Sequence, residues 1–178
     1  DIHSDKEFVM LDSLVERVGP DRIILAGDLF TKGPDPSGVW RLIEQRGMEA
    51  VLGNHDARVL QAPGKWEKRG VPAEAIQWLS SLPLWIDGPG WRVLHAGCDP
   101  HQGAEHSSRS VILNIRRWPD DSSLESPFWW ELYRGARLII FGHDARRGLV
   151  DRRPHALGLD TGCVYGGALT GVIVETGE

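Results

Sequence analysis

One pattern recurs along this chain and limits its fold more than any other feature. Four times, a short apolar run gives way to a small residue beside Asp, Asn or His. Arg22-Ile23-Ile24-Leu25-Ala26 leads into Gly27-Asp28, and Ala50-Val51-Leu52 into Gly53-Asn54-His55. Arg92-Val93-Leu94 leads into His95-Ala96-Gly97, and Leu138-Ile139-Ile140-Phe141 into Gly142-His143. Runs of three to five apolar residues rich in Val and Ile read as buried strands. The glycines permit a tight turn and a close approach of backbone to whatever the turn holds. Four strands therefore present metal-ligating residue types at their C-terminal ends, where open α/β sheets place their sites.

Helices fit between these strands. Ser4-Asp5-Lys6-Glu7 reads as a capping box, with Phe8, Leu11, Val15 and Val18 following at helical spacing until Gly19-Pro20. Asp35 can cap a second helix with Pro36 at its first position and Val39, Leu42 and Ile43 as its buried stripe. Residues 71–79 and 108–115 are weaker helical segments, and Asp87-Gly88-Pro89-Gly90 is a turn before a strand at Trp91. Residues 156–159 and 169–174 read as further strands.

With 178 residues and no dividing linker, the expectation is a single domain over residues 1–178. No apolar run approaches the ~20 residues of a membrane span. A net charge of −5 argues against non-specific binding to duplex DNA. Two cysteines, Cys98 and Cys163, cannot build a disulfide framework and fit a reducing, cytoplasmic setting.

The candidate ligands are Asp1, His3, Asp28, Asn54, His95 and His143. A lone Asp or His after a strand is usually a turn or cap residue; six in one recurring context form a set. Oxygen and imidazole donors without thiolate suit a hydrolytic Mn, Fe or Zn site rather than a structural zinc. Two such ions held roughly 3.5–4 Å apart can clamp the attacking and leaving oxygens of an in-line displacement at phosphorus. Asp28 is the central candidate for a carboxylate bridging them.

The strings Asp1-Ile2-His3, Gly27-Asp28-Leu29-Phe30-Thr31-Lys32-Gly33-Pro34, Gly53-Asn54-His55-Asp56, His95-Ala96-Gly97 and Gly142-His143-Asp144 resemble, in order, the motifs of the calcineurin-like metallophosphoesterases. Within them they are most similar to the phosphoprotein phosphatases. The resemblance runs from Asp1 to about Val174. It implies a layered α/β/β/α sandwich with a two-metal centre at the strand C-terminal ends. It further implies that Asp1 and His3 bind the first ion, Asp28 bridges both, and Asn54, His95 and His143 bind the second. Mn is the expected ion, with Fe, Zn, Co or Ni as substitutes. His55 would protonate the leaving oxygen. Lys32 and Asn54 would contact the phosphate, with a second cation drawn from Arg116, Arg109 or Arg134; Arg116 is our choice.

Departures point to the subfamily. Protein Ser/Thr phosphatases typically carry Asp and Arg where this chain has Thr31 and Lys32. Lys-Gly-Pro there resembles the ApaH-like (diadenosine tetraphosphatase-like) branch, as does the stretch from Leu157 to Gly167, although Ala168 stands where those relatives often carry Arg. The resemblance implies metal-hydroxide attack on phosphorus in a dinucleoside polyphosphate or related nucleotide anhydride, with capped RNA or a phosphoprotein as other substrates. Thr31 can orient the His55 ring but brings no charge to raise its pKa, which favours a phosphate leaving group over a serine alkoxide. The rivals are a bacterial-type protein Ser/Thr phosphatase and a non-catalytic phosphoesterase scaffold that binds a protein partner. Asp1 should follow a buried strand, so the native polypeptide is expected to continue upstream.

Overall fold

The computed structural model describes residues 8–175. The expected capping box and the expected ligands Asp1 and His3 lie outside the described residues. Helix α1 (Phe8–Val18) turns Phe8, Leu11 and Val15 towards the core. Helix α2 (Pro36–Arg46) begins where expected: the Asp35 carboxylate accepts the Gly38 N–H at 2.8 Å. Pro36 sits in the first turn, where a missing N–H costs nothing. Val39, Leu42 and Ile43 are its buried stripe.

Strands β1 (Ile24–Leu25) and β2 (Glu49–Ala50) pair in parallel as a small sheet. The second sheet has five strands. Its hairpin joins β3 (Trp85–Gly88) to β4 (Trp91–Leu94) across Pro89-Gly90. Strand β5 (Leu138–Phe141) runs parallel to β4, and β6 (Val150–Arg152) and β7 (Ala156–Gly158) complete the order β3-β4-β5-β7-β6.

Period-2 alternation sorts the side chains into layers. Val93 and Ile140, with Trp91 and Val51, fill the space between the sheets, against Ile24 and Ala26. Leu94, Ile139 and Phe141 face the opposite side. There α6 (Arg109–Asn114) and α7 (Trp129–Leu132) cover them with Ile112 and Trp129. On the far side of the small sheet, α1, α2, α3 (Asn54–Gln61) and α5 (Ala73–Ser81) pack around Leu29, Val59 and Leu79, joined by Trp66 of the short α4 (Pro63–Glu67). The result is the expected α/β/β/α layering. Each fully buried large apolar side chain contributes about 1.5–3 kcal/mol to holding it.

Two local readings differ. The helix expected from Val71 begins only at Ala73, because Pro72 disfavours helical backbone in the residue before it. Residues 169–174 are not a strand: no described strand hydrogen-bonds to the run, and its side chains at Val172, Ile173 and Val174 are exposed. A strand needs a ladder partner for its backbone groups. Trp129 and Trp130 are buried core residues, and the Trp129 indole donates to the Ala96 carbonyl at 3.0 Å.

Candidate metal centre

Parallel pairing sends β1, β2, β4 and β5 out at one edge, so the residues after their C-terminal ends meet. The Gly142 N–H donates to the His95 carbonyl at 2.8 Å, and the two imidazoles of His95 and His143 lie edge to face with centroids 5.0 Å apart. From the other sheet come the loops of Asp28 and Asn54. Ligand atoms of Asp28, His95 and His143 all lie within 4.8 Å of one another.

Two glycines let those loops interlock. A Cβ on Gly53 would fall 2.2 Å from the Asp28 carboxylate, and one on Gly27 would fall 2.8 Å from the Gly53 backbone. Asp28 and His143 both hold positive φ, 57° and 73°. Such a conformation in a non-glycine residue costs of order 1–3 kcal/mol and persists only where surrounding contacts impose it. For Asp28 those contacts come from Asp56. Its fully buried carboxylate accepts the Asp28 N–H at 2.7 Å, the Leu29 N–H at 2.9 Å and the Gly53 N–H at 3.2 Å. Burial, and then the neighbouring Asp28 charge, push Asp56 up to about 7, against the pull of those three donors. Asp28 is also raised by burial, with the His55 charge opposing.

The donor chemistry fits a cation. The His95 ring is fully buried, and burial pushes its pKa down to about 4, so it is neutral. Its Nδ1 lies 2.8 Å from the Ala26 carbonyl, which requires the proton there and leaves a lone pair on Nε2. That nitrogen faces Asn54 Oδ1 at 3.2 Å and Asp28 Oδ1 at 3.5 Å. The Asn54 amide is oriented by its Nδ2, which donates to Asn114 Oδ1 at 3.3 Å. Three lone pairs thus converge with no proton between them, an arrangement a bound cation relieves. His143 follows the same logic: Nε2 donates to the Asn114 carbonyl at 3.0 Å, so Nδ1 is the nitrogen for an ion. Burial, then His95 and Arg116, hold the ring neutral by lowering its pKa to about 3.

His55, at the start of α3, stands beside this group. Its N–H donates to Asp28 Oδ1 at 2.8 Å, and its Nδ1 lies 3.0 Å from Thr31 Oγ1. Burial lowers its pKa; Asp28 opposes that and Lys32 adds to it. Lys32 is exposed and donates to the Tyr165 hydroxyl at 2.6 Å, with its Nζ 4.8 Å from that ring's centroid. Arg116 follows Asn114, and its Nε lies 3.5 Å from Asp144 Oδ1, next to His143. Arg134 instead lines a separate cavity with Arg152 and His155.

Asp28, Asn54, His55, His95 and His143 are therefore gathered at one place, with Lys32 and Arg116 near it. Sequence reading missed Asp56, Asn114 and Tyr165 as parts of the assembly. Asp56 carried a legible signal, an acidic residue three positions after the N-cap Gly53. Asn114 carried none, because its role depends on where α6 docks.

Comparison with known proteins agrees with this geometry. Residues 1–147 match the calcineurin-like phosphoesterase family. A symmetrical bis(5'-nucleosyl)-tetraphosphatase of Chromohalobacter salexigens is 29% identical across 94% of this chain and 90% of its own. One from Vibrio parahaemolyticus is 28% identical across 92% and 90%. A crystal structure of a candidate diadenosine tetraphosphatase superposes with a TM-score of 0.83 at 34% identity, covering 94% of this chain and 83% of that one. The family uses divalent metals, and Asp28, His95 and His143 form a group able to hold one. The chain belongs to the calcineurin-like phosphoesterase family and is a hydrolase.

Proposed function

We propose that this protein hydrolyses the phosphoanhydride chain of a dinucleoside polyphosphate. The observation that carries the choice of an anhydride is the uncharged partner of His55, the Thr31 hydroxyl at 3.0 Å. The relatives named bis(5'-nucleosyl)-tetraphosphatase support the same substrate class.

In this reading Asp1 and His3 would hold one divalent ion and Asn54, His95 and His143 a second, with the Asp28 carboxylate serving both sites and Mn the expected metal. Bound there, such ions lower the pKa of water and neutralise charge on phosphoryl oxygens. The protein's own groups do the rest. Asp56 fixes the Asp28 loop through three backbone donors, and Asn114 aims the Asn54 amide and the His143 ring. Lys32, Asn54 and Arg116 bind the equatorial oxygens of the phosphoryl group and stabilise charge in the transition state. Water adds to phosphorus, and the bridging P–O bond breaks with its electron pair going to the departing oxygen. His55 delivers a proton to that oxygen, while the proton from water passes to solvent. A phosphate oxygen leaves readily and tolerates the weak charge support of His55; a serine alkoxide does not. A cytoplasmic location fits Cys98 and Cys163, which are buried and not joined in a disulfide. Among the described residues no helix is long and apolar enough to cross a membrane.

The test is a side-by-side assay of the Mn-loaded protein on diadenosine tetraphosphate, capped RNA and a serine phosphopeptide. The dinucleoside polyphosphate should be the preferred substrate. Preference for the phosphopeptide would make the protein a Ser/Thr phosphatase, and inactivity on all three with metal bound would make it a scaffold.

A further inference from the structure

A cavity of about 450 Å³ opens beside His55. Its lining includes Thr31, Lys32 and His55 together with a wall of Arg58, Lys65 and Trp66. The sequence builds this wall by helical spacing. Arg58 follows His55 by three residues on α3, one turn and roughly 5 Å along the same face. Lys65 joins the lining from α4.

The wall is strongly basic. Lys32, Arg58 and Lys65 all line the cavity, and among the described residues no Asp or Glu does. Several cations elsewhere on the surface are matched, Arg22 with Glu49, Arg46 with Asp12 and Glu16, and Arg153 with Asp151. Among the described residues no carboxylate pairs with Arg58 or Lys65. Lys65 instead lies 5.5 Å from the Trp66 ring centroid, which Arg69 approaches at 5.2 Å. Trp66 is therefore already faced by two cations, and the open capacity of the cavity is for negative charge.

We propose that this cavity seats the oligophosphate of the departing half of the substrate, with Arg58 and Lys65 as its phosphate contacts. The placement follows from the role of His55. A group that protonates the leaving oxygen lies on the leaving-group side, and His55 is part of the lining of this cavity. A departing nucleoside diphosphate or triphosphate carries several negative charges, which the Arg58 and Lys65 cations match. The proposal rests on the anhydride reading above and adds the site that selects for a polyanionic leaving group over an alcohol. The recognised chemistry is a short chain of phosphates, free or attached to a nucleoside.

The experiment uses the full chain loaded with Mn, at constant free metal, hydrolysing p-nitrophenyl phosphate in the presence of ADP or inorganic tripolyphosphate. In the Arg58→Gln/Lys65→Gln double variant the Ki of both inhibitors should rise by about tenfold or more, as expected for lost charge-assisted hydrogen bonds. Arg69→Gln removes a nearby charge that does not line the cavity and should change Ki by less than about twofold. The ratio of kcat/KM for diadenosine tetraphosphate to that for p-nitrophenyl phosphate should fall by about tenfold in the double variant. An unchanged Ki in the double variant overturns the proposal, as does an equal effect of Arg69→Gln. Loss of ADP inhibition with tripolyphosphate inhibition intact overturns it too, because the contacts would then be to the nucleoside. If the wild type leaves diadenosine tetraphosphate intact, the anhydride reading fails, while the inhibitor constants still decide what the cavity holds.

Discussion

Thr31 Oγ1 sits 3.0 Å from His55 Nδ1, a hydroxyl serving a proton-transfer histidine. The hydroxyl fixes the ring but adds no negative charge to stabilise imidazolium, and burial already lowers the pKa of His55. Thr31→Asp places a carboxylate in that position, and an anion at hydrogen-bond distance strengthens the protonated form. The variant should gain on poor leaving groups. Hydrolysis of a serine phosphopeptide relative to diadenosine tetraphosphate should rise by about tenfold, the equivalent of one pKa unit. An unchanged ratio would show that this pair does not set leaving-group preference.

His55 and Asp28 touch, yet their loss should look different. His55→Asn removes proton delivery and leaves the ligand atoms of Asp28, His95 and His143 in place. It should lower kcat by about 10²–10⁴-fold with metal content unchanged after gel filtration. Asp28→Asn removes the carboxylate at the centre of the cluster and should lose bound metal together with activity. Full metal occupancy in Asp28→Asn would displace Asp28 from its central role.

These outcomes bear on how much of the molecule was legible beforehand. Asp28, Asn54, His95 and His143 could be read because each follows a short apolar run, and parallel pairing of those runs brings their ends to one edge. Helix α2 could be read because Asp35 and Pro36 signal its start through local geometry. What stayed hidden depends on contacts between distant segments. Asn114 orients Asn54 across 60 residues of chain and the His143 ring across 29. The basic wall at Arg58 and Lys65 becomes visible only once α3 and α4 are known helices. Residues 169–174 have strand-like composition, but composition cannot supply the neighbour that a strand must bond to.

Asp56 offers a sharper test of positioning. Both of its oxygens accept backbone N–H groups, from Asp28 and Gly53 on one and Leu29 on the other. Asn at this position keeps the shape but turns one acceptor into a donor, setting it against a backbone N–H. A buried donor left without an acceptor costs about 1–3 kcal/mol. Asp56→Asn should therefore lower the unfolding midpoint and weaken metal affinity, because the loop presenting Asp28 loses its clamp. Asp56→Glu, which retains both acceptors, should recover part of the metal affinity. Equal metal affinity in the wild type and Asp56→Asn would confine Asp56 to a purely structural role.

The hairpin that ends in His95 has its own electrostatic anchor. Arg92 on β4 is 4% exposed, and its guanidinium forms a two-pronged bond to Asp87 at 2.6 and 2.9 Å and reaches Glu105 at 2.8 Å. The Arg92 hydrogen bond is the main cause that holds Asp87, and likewise Glu105, below the ordinary carboxylate range. A carboxyl group whose pKa is depressed in the folded state binds protons more readily when unfolded. Stability therefore rises with pH across the interval between the two values. The contribution is complete above the unfolded value, about 4, and disappears as pH falls through the lower folded value. Asp87→Asn removes one of the two carboxylates. The variant should be less stable than wild type at neutral pH, and the gap in urea midpoint should close as pH drops below about 4. Wild-type and variant curves that stay parallel from neutral pH down to strong acid would show that Asp87 contributes no charge-dependent stability to the strand carrying His95.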